Sequence, residues 1–189
     1  MDDLISDATL DACFAWCMGS GETPWRFGDQ ADAKSNHRFW GASIFSPDDP
    51  RYTNHTLSDT HPSIAEIWNQ IALYLGPSQF EIRDVWLNGL TFGLESGIHR
   101  DRQDNEEGWY TAMVYLNTHW RAEFGGETMF YNQEKTDVQK AVIPAPGRMV
   151  FFDARIPHWG RAPTKDFPFV RLTLAFHLSR NGNSPIPKF

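Results

Sequence analysis

Two kinds of hydrophobic spacing divide this chain near residue 80. Before it, apolar residues recur every three or four positions. Leu10, Cys13, Phe14 and Cys17 predict a helix over 6–18, stopped by Gly19 and Gly21. Ile64, Ile67, Trp68, Ile71 and Leu75 predict a second helix over 62–76, with Pro62 in its first turn and Gly76–Pro77 at its end. Between the two, 19–35 reads as a polar loop, 37–45 as a short strand and 46–62 as turns. After residue 80, short apolar runs are punctuated by Gly, Pro and Asn. They predict strands near 80–92, 97–101, 109–117, 126–131, 138–144, 147–153 and 169–179. The expected architecture is mainly β with supporting α-helices, an antiparallel sandwich or barrel braced on the outside. With 189 residues, one domain is expected. Within it, 1–79 would be a helical and loop brace, 80–180 the β core and 181–189 a flexible tail.

The last of these strands carries information beyond its period. In VRLTLAFHLS, Leu172, Leu174, Phe176 and Leu178 alternate with Arg171, Thr173, Ala175 and His177. Alternate residues share a face, so one face is apolar and the other presents a cation and a hydroxyl. A guanidinium on the inner face of a barrel is costly unless it meets an anion, and its planar fork matches a carboxylate. An exposed Arg on an edge strand is the competing reading.

Charge and cysteine content narrow the function classes. The net charge is −7, with no Lys/Arg-rich run, which argues against nucleic-acid binding. The first 21 residues lack the basic region and apolar run of a signal peptide, and no segment approaches the roughly 18–20 apolar residues of a membrane span. The two cysteines, Cys13 and Cys17, are not spaced as C-x-x-C and read as reduced core thiols. A soluble cytoplasmic protein is expected, its partners being substrates rather than nucleic acid or membrane.

Of seven histidines, His99 stands out because Asp101 follows two residues on. On a strand the two would share a face and could meet one cation. A solvated polar loop is the competing reading of so short a pattern. The best third ligand is His158, in FFDARIPHWG, at the exit of the apolar strand RMVFFD and between Pro157 and Gly160. Two imidazoles and one carboxylate leave several metal positions open, which suits Fe(II) and O2 chemistry; zinc competes for the same set.

In order along the chain stand HRD (99–101), VYLN (114–117), FGGETMFY (124–131), PAPGRMVFFD (144–153), PHWG (157–160) and RLTLAFH (171–177). Together they resemble the Fe(II)- and 2-oxoglutarate-dependent dioxygenases, in particular the prolyl-4-hydroxylase-like branch. The resemblance covers about 80–180 and implies a double-stranded β-helix, a jelly-roll or cupin-like core. It implies that His99, Asp101 and His158 are the catalytic iron ligands. Arg171 would pair with the distal carboxylate of 2-oxoglutarate, helped by Tyr115 and by Thr173 on the same face. Gly125, Gly126 and Gly147 would be turn residues. The implied reaction is hydroxylation of an unactivated C–H bond, with O2 consumed and 2-oxoglutarate converted to succinate and CO2; retention of Asp101 points away from halogenation. Relatives often carry a Tyr on the strand before H-x-D; here Trp86, Asn88 and Phe92 are the candidates for that space.

The substrate class stays open between a prolyl or other peptidyl residue and a small amino-acid-like or natural-product molecule. The acidic loop RQDNEEGW (102–109) reads either as a lid suited to an amine or as a solvated turn. Arg38, Trp40 and Trp159 are the candidate substrate contacts, with His37 and Arg51 as further guesses. Two other function classes compete: a non-catalytic jelly-roll binding protein, and a zinc hydrolase on a cupin-like barrel.

Overall fold

The computed structural model describes residues 1–19, 23–31, 35–52, 54–103 and 107–182. Two antiparallel sheets make the core. The larger has six strands in the order β1-β2-β3-β9-β4-β7: β1 (Arg26–Asp29), β2 (Phe39–Phe45), β3 (Phe80–Leu90), β4 (Trp109–Tyr115), β7 (Met149–Asp153) and β9 (Arg171–Arg180). The smaller is β6-β5-β8, from β5 (Thr128–Tyr131), β6 (Val138–Val142) and β8 (His158–Gly160). Among the described residues three α-helices precede β3: α1 (Asp7–Met18), α2 (Leu57–Thr60) and α3 (Pro62–Leu75). Among the described residues no helix is long and apolar enough to cross a membrane.

The alternation along β9 decides how the layers pack. Leu172, Leu174, Phe176 and Leu178 are wholly buried in one cluster with Leu10, Cys13 and Cys17 of α1 and Ile64, Ile67, Ile71 and Leu75 of α3. Each such side chain contributes about 1.5–3 kcal/mol by leaving water, so this face fixes the helices on the outside of the large sheet. Both cysteines are free and buried, and contact with Cys13 followed by burial pushes the Cys17 thiol far up, so it stays protonated. The other face of β9 looks toward the small sheet. There Met113, Tyr115, Phe130 and Phe152 form a second, smaller cluster between the layers.

Both long helices stand where their periodicity predicts. α1 is capped by Ser6, whose hydroxyl accepts from Thr9 N, and α3 starts at Pro62 and stops at Gly76. Several elements differ from the sequence reading, among them β8, which falls in none of the expected strands. β1 lies inside the expected polar loop; its exposed residues give no burial pattern to detect. The four-residue α2 lies inside the expected turn region, held by a capping box between Thr56 and Asp59. The expected strand 97–101 reduces to a single bridge, His99 against His158. Gly97, at φ 73, departs from extended backbone there and leaves only His99 to pair. Two strands of the large sheet, β1 and β2, come from before residue 80. The expected tail lies almost wholly outside the described residues, as do 104–106 of the expected lid.

Candidate active site

His99 and His158 are joined through their backbones. His99 N donates to His158 O at 3.0 Å, and His158 N donates to His99 O at 2.9 Å. Residues directly opposite in such a pair carry their side chains on the same side, and the imidazole centroids lie 4.2 Å apart. The His158 side of this pair is not a strand exit turned by Gly160, as the sequence suggests, but the start of β8, which pairs with β5.

Both rings are oriented by the same device. His99 Nδ1 is 3.0 Å from Gly97 O and His158 Nδ1 is 3.0 Å from Ile156 O. A carbonyl oxygen only accepts, so each Nδ1 holds the proton and each Nε2 turns its lone pair elsewhere. Both Nε2 atoms face Asp101 Oδ1, each at 3.5 Å. The three ligand atoms lie within 4.8 Å of one another. Neighbouring donors at right angles on an ion with ~2.1 Å bonds stand roughly 3 Å apart, so the set fits one cation with little adjustment.

Electrostatics prepares His158 and Asp101 for a metal. Burial pushes the His158 imidazolium down to about 4, against the pull of Asp101, so at neutral pH this ring is uncharged, with its Nε2 lone pair free to bind a metal. Burial alone would raise the Asp101 carboxyl; His158, His99 and His177 outweigh it and hold the group far below the usual carboxylate range. For His177, burial would lower the value, but the Asp84 hydrogen bond and the Asp101 and Asp84 charges raise it to about 9.

The triad opens into a cavity of about 210 Å3 between the two sheets. Its floor is Arg171. The side chain is 2% exposed, its Nε donates to Gly126 O at 2.6 Å and its Nη2 to Thr128 Oγ1 at 2.9 Å. Both acceptors are neutral, and among the described residues Arg171 makes no ion pair. Gly126, at φ 73, brings its carbonyl to the guanidinium; a Cβ there would come within 3.0 Å of Arg171 Cδ and of Trp120. Gly126→Ala should therefore destabilise the fold by about 1–2 kcal/mol from the left-handed backbone alone. A urea melt coincident with wild type would show that the turn does not need glycine.

The sequence-predicted residues divide cleanly. His99, Asp101, His158, Arg171 and Thr173 all line this cavity, as do Trp86 and Asn88. Phe92 is 66% exposed and lies elsewhere. Tyr115 is buried but is not part of the cavity wall; its hydroxyl donates to Thr128 Oγ1 at 2.7 Å, and its ring packs against the Arg171 guanidinium, 5.1 Å from the ring centroid. Arg38, Trp40 and Trp159 do not line it either. Arg38 is spent on the carbonyls of Ser35 and His37, Trp40 packs on Phe27, and Trp159 meets His37, Tyr131 and Arg161. Residues that the sequence reading left unassigned do line it: Thr128 at the floor, Phe39 and Asp29 toward the N-terminal strands, and Thr111 and His177 beside Asp101.

Residues 87–179 match the family model described as the 2OG-Fe(II) oxygenase superfamily. No curated protein matches the chain. Among solved structures, a Pseudomonas putida prolyl-4-hydroxylase is similar at 20% identity and TM-score 0.60, over 95% of this chain and 90% of that one. A Trichoplax adhaerens prolyl hydroxylase in complex with a hypoxia inducible factor peptide is similar at 15% identity and TM-score 0.64, over 95% and 82%. The carbocyclase SnoK from nogalamycin biosynthesis, a non-heme alpha ketoglutarate dependent enzyme, is similar at 17% and 0.58, over 95% and 78%. These likenesses establish the double-stranded β-helix fold.

Proposed function

We propose, from the match of residues 87–179 to the 2OG-Fe(II) oxygenase family model, that this chain is an enzyme of the class that uses Fe(II), 2-oxoglutarate and O2 and that it hydroxylates an unactivated C–H bond of an amine-bearing substrate. His99, Asp101 and His158 would hold Fe(II) through Nε2, Oδ1 and Nε2. Arg171 would take the distal carboxylate of 2-oxoglutarate, with Thr128 and Thr173 beside it. The observation that carries this reading is the buried Arg171 guanidinium, with no carboxylate partner among the described residues, in the same cavity as the three donors. Bound Fe(II) would supply the oxidising chemistry, by which one atom of O2 would enter the new C–OH and the other succinate, with release of CO2.

The residues' own work is geometric. The paired backbones of His99 and His158 fix two donors, and Asp101 aims one oxygen between them. The apolar lining of Leu90, Met113 and Phe152 excludes water from the reacting side of the cavity. At the mouth, Asp29 accepts only from Gln30 N and makes no ion pair among the described residues, while Trp86 and Phe39 supply aromatic surface nearby. A carboxylate beside aromatic rings suits an ammonium group. Such a group belongs equally to a small amino-acid-like molecule and to a lysyl or N-terminal peptidyl residue, so the two sizes are separated by test.

The test is succinate release from anaerobically loaded protein after O2 is admitted, run over a panel of free amines, amino acids and short peptides. Amine-bearing members should stimulate succinate formation. Asp29→Asn should raise their apparent KM several-fold and leave a neutral analogue unchanged; equal effects on both would remove Asp29 from substrate selection. Product formation without 2-oxoglutarate or O2 would overturn the oxygenase reading in favour of a hydrolase.

A further inference from the structure

The register of the three central strands of the large sheet places a row of polar side chains beside Asp101. Asp84 of β3 stands opposite His177 of β9, and His177 stands opposite Thr111 of β4. All three belong to the face that looks toward the small sheet. His177 Nδ1 lies 2.5 Å from Asp84 Oδ1, which settles which nitrogen carries the proton bound toward Asp84. The other nitrogen, Nε2, lies 3.8 Å from Asp101 Oδ2, an ionic rather than a hydrogen-bonded distance. Thr111 Oγ1 donates to that same Oδ2 at 2.6 Å.

The two oxygens of Asp101 therefore have different surroundings. Oδ1 faces His99 and His158, and Oδ2 is turned into the row formed by Thr111 and His177. We infer that Thr111 and the Asp84–His177 pair are positioning residues that keep Asp101 a one-oxygen ligand. The inference rests on the reading of His99, Asp101 and His158 as a metal site. It matters because a carboxylate that swings to grip a cation with both oxygens occupies one more position, and a three-residue site used by a chelating co-substrate and O2 needs every remaining position. Oxygens held by outer partners cannot swing, and loss of such partners typically costs about 10–100-fold in metal affinity.

Asp84 touches none of the three metal-binding side chains, yet it is the residue that fixes the His177 ring. Its side chain is 32% exposed, so replacing it leaves the core intact. Thr111 is 2% exposed, and valine fills its space without its proton.

The experiment needs neither turnover nor a known substrate. Wild type, Thr111→Val, Thr111→Ser, Asp84→Leu and the double variant Thr111→Val/Asp84→Leu are titrated with Mn(II), free ion being read by its paramagnetic resonance. Each is then loaded with Co(II), whose ligand-field absorption reports coordination number. Thr111→Val should bind Mn(II) about tenfold more weakly, Thr111→Ser should restore most of the affinity, and Asp84→Leu should weaken it several-fold through His177. The double variant should show an altered Co(II) spectrum. Folded variants with wild-type Mn(II) affinity and Co(II) spectra would overturn the positioning role while leaving the metal site standing. If Thr111→Val does not fold, Asp84→Leu alone decides. A wild-type protein that takes up neither ion would instead overturn the metal-site reading itself.

Discussion

Asp101→Ala is expected to abolish succinate formation and to lower Mn(II) affinity by more than the ~10–100-fold that follows loss of an outer partner. The reason lies in what else is available. Two imidazoles remain at His99 and His158, and among the described residues the carboxylate is the one anion of the triad. Removing it takes away both a donor and the charge that favours a dication over protons. Folding should survive. In the metal-free protein the Asp101 carboxylate is buried among histidines rather than built into the apolar core, and His177 keeps Asp84 as its counter-ion. Circular dichroism and a thermal melt should therefore match wild type while metal uptake is lost. Succinate formation that persists in a folded Asp101→Ala protein would remove Asp101 from the site. Asp101→Asn separates the two losses: it keeps an oxygen donor without the charge, and metal affinity between wild type and Asp101→Ala is the expected result.

The site was legible wherever its residues share a strand or stand two apart. Arg171 and Thr173 announce themselves by alternating with four leucine and phenylalanine positions, and the structure puts the apolar set under the helices and the polar set in the cavity. The same rule was available for the substrate contacts and points the other way. Trp159 follows His158 and Trp40 follows Phe39, so a tryptophan next to an inward residue on a strand faces outward. The structure places His158 and Phe39 on the cavity and both tryptophans off it. What no spacing could reveal is the row Asp84–His177–Thr111. Its members are 93 and 66 residues apart in sequence and meet only through the pairing of β3, β9 and β4. Thr128 was hidden for a similar reason: nothing inside the expected strand 126–131 marks it, and only the approach of Arg171 from β9 makes its hydroxyl part of the floor. β1 and β8 escaped because four residues, three of them exposed, and three residues are too short to display a period.

Arg171→Leu should raise the 2-oxoglutarate concentration for half-maximal succinate formation by at least about 30-fold, the lower end of what truncating one side of a buried charge pair costs. Its effect on the unliganded protein should be small, and this contrast is the informative part. A structural arginine is paired, and its removal orphans a carboxylate; among the described residues Arg171 has Gly126 O and Thr128 Oγ1 as acceptors and the Tyr115 ring beside it. Thr128 keeps the Tyr115 hydroxyl at 2.7 Å when Arg171 is gone, so the one group left without a partner is a carbonyl, at about 1–3 kcal/mol. Against that stands relief from burying an unneutralised cation, a change that in buried ion clusters is neutral or stabilising by about 1–4 kcal/mol. The two nearly cancel, so the melting temperature without ligand should stay close to wild type. With Mn(II) and excess 2-oxoglutarate the outcomes diverge. Wild type should gain about 2.7 kcal/mol at a hundred times the dissociation constant, and Arg171→Leu should gain almost none at the same concentration. Arg171→Lys keeps the charge but not the planar fork, and should fall between the two. A large loss of unliganded stability with an unchanged 2-oxoglutarate requirement would make Arg171 a structural strut and leave the floor of the cavity without its ligand.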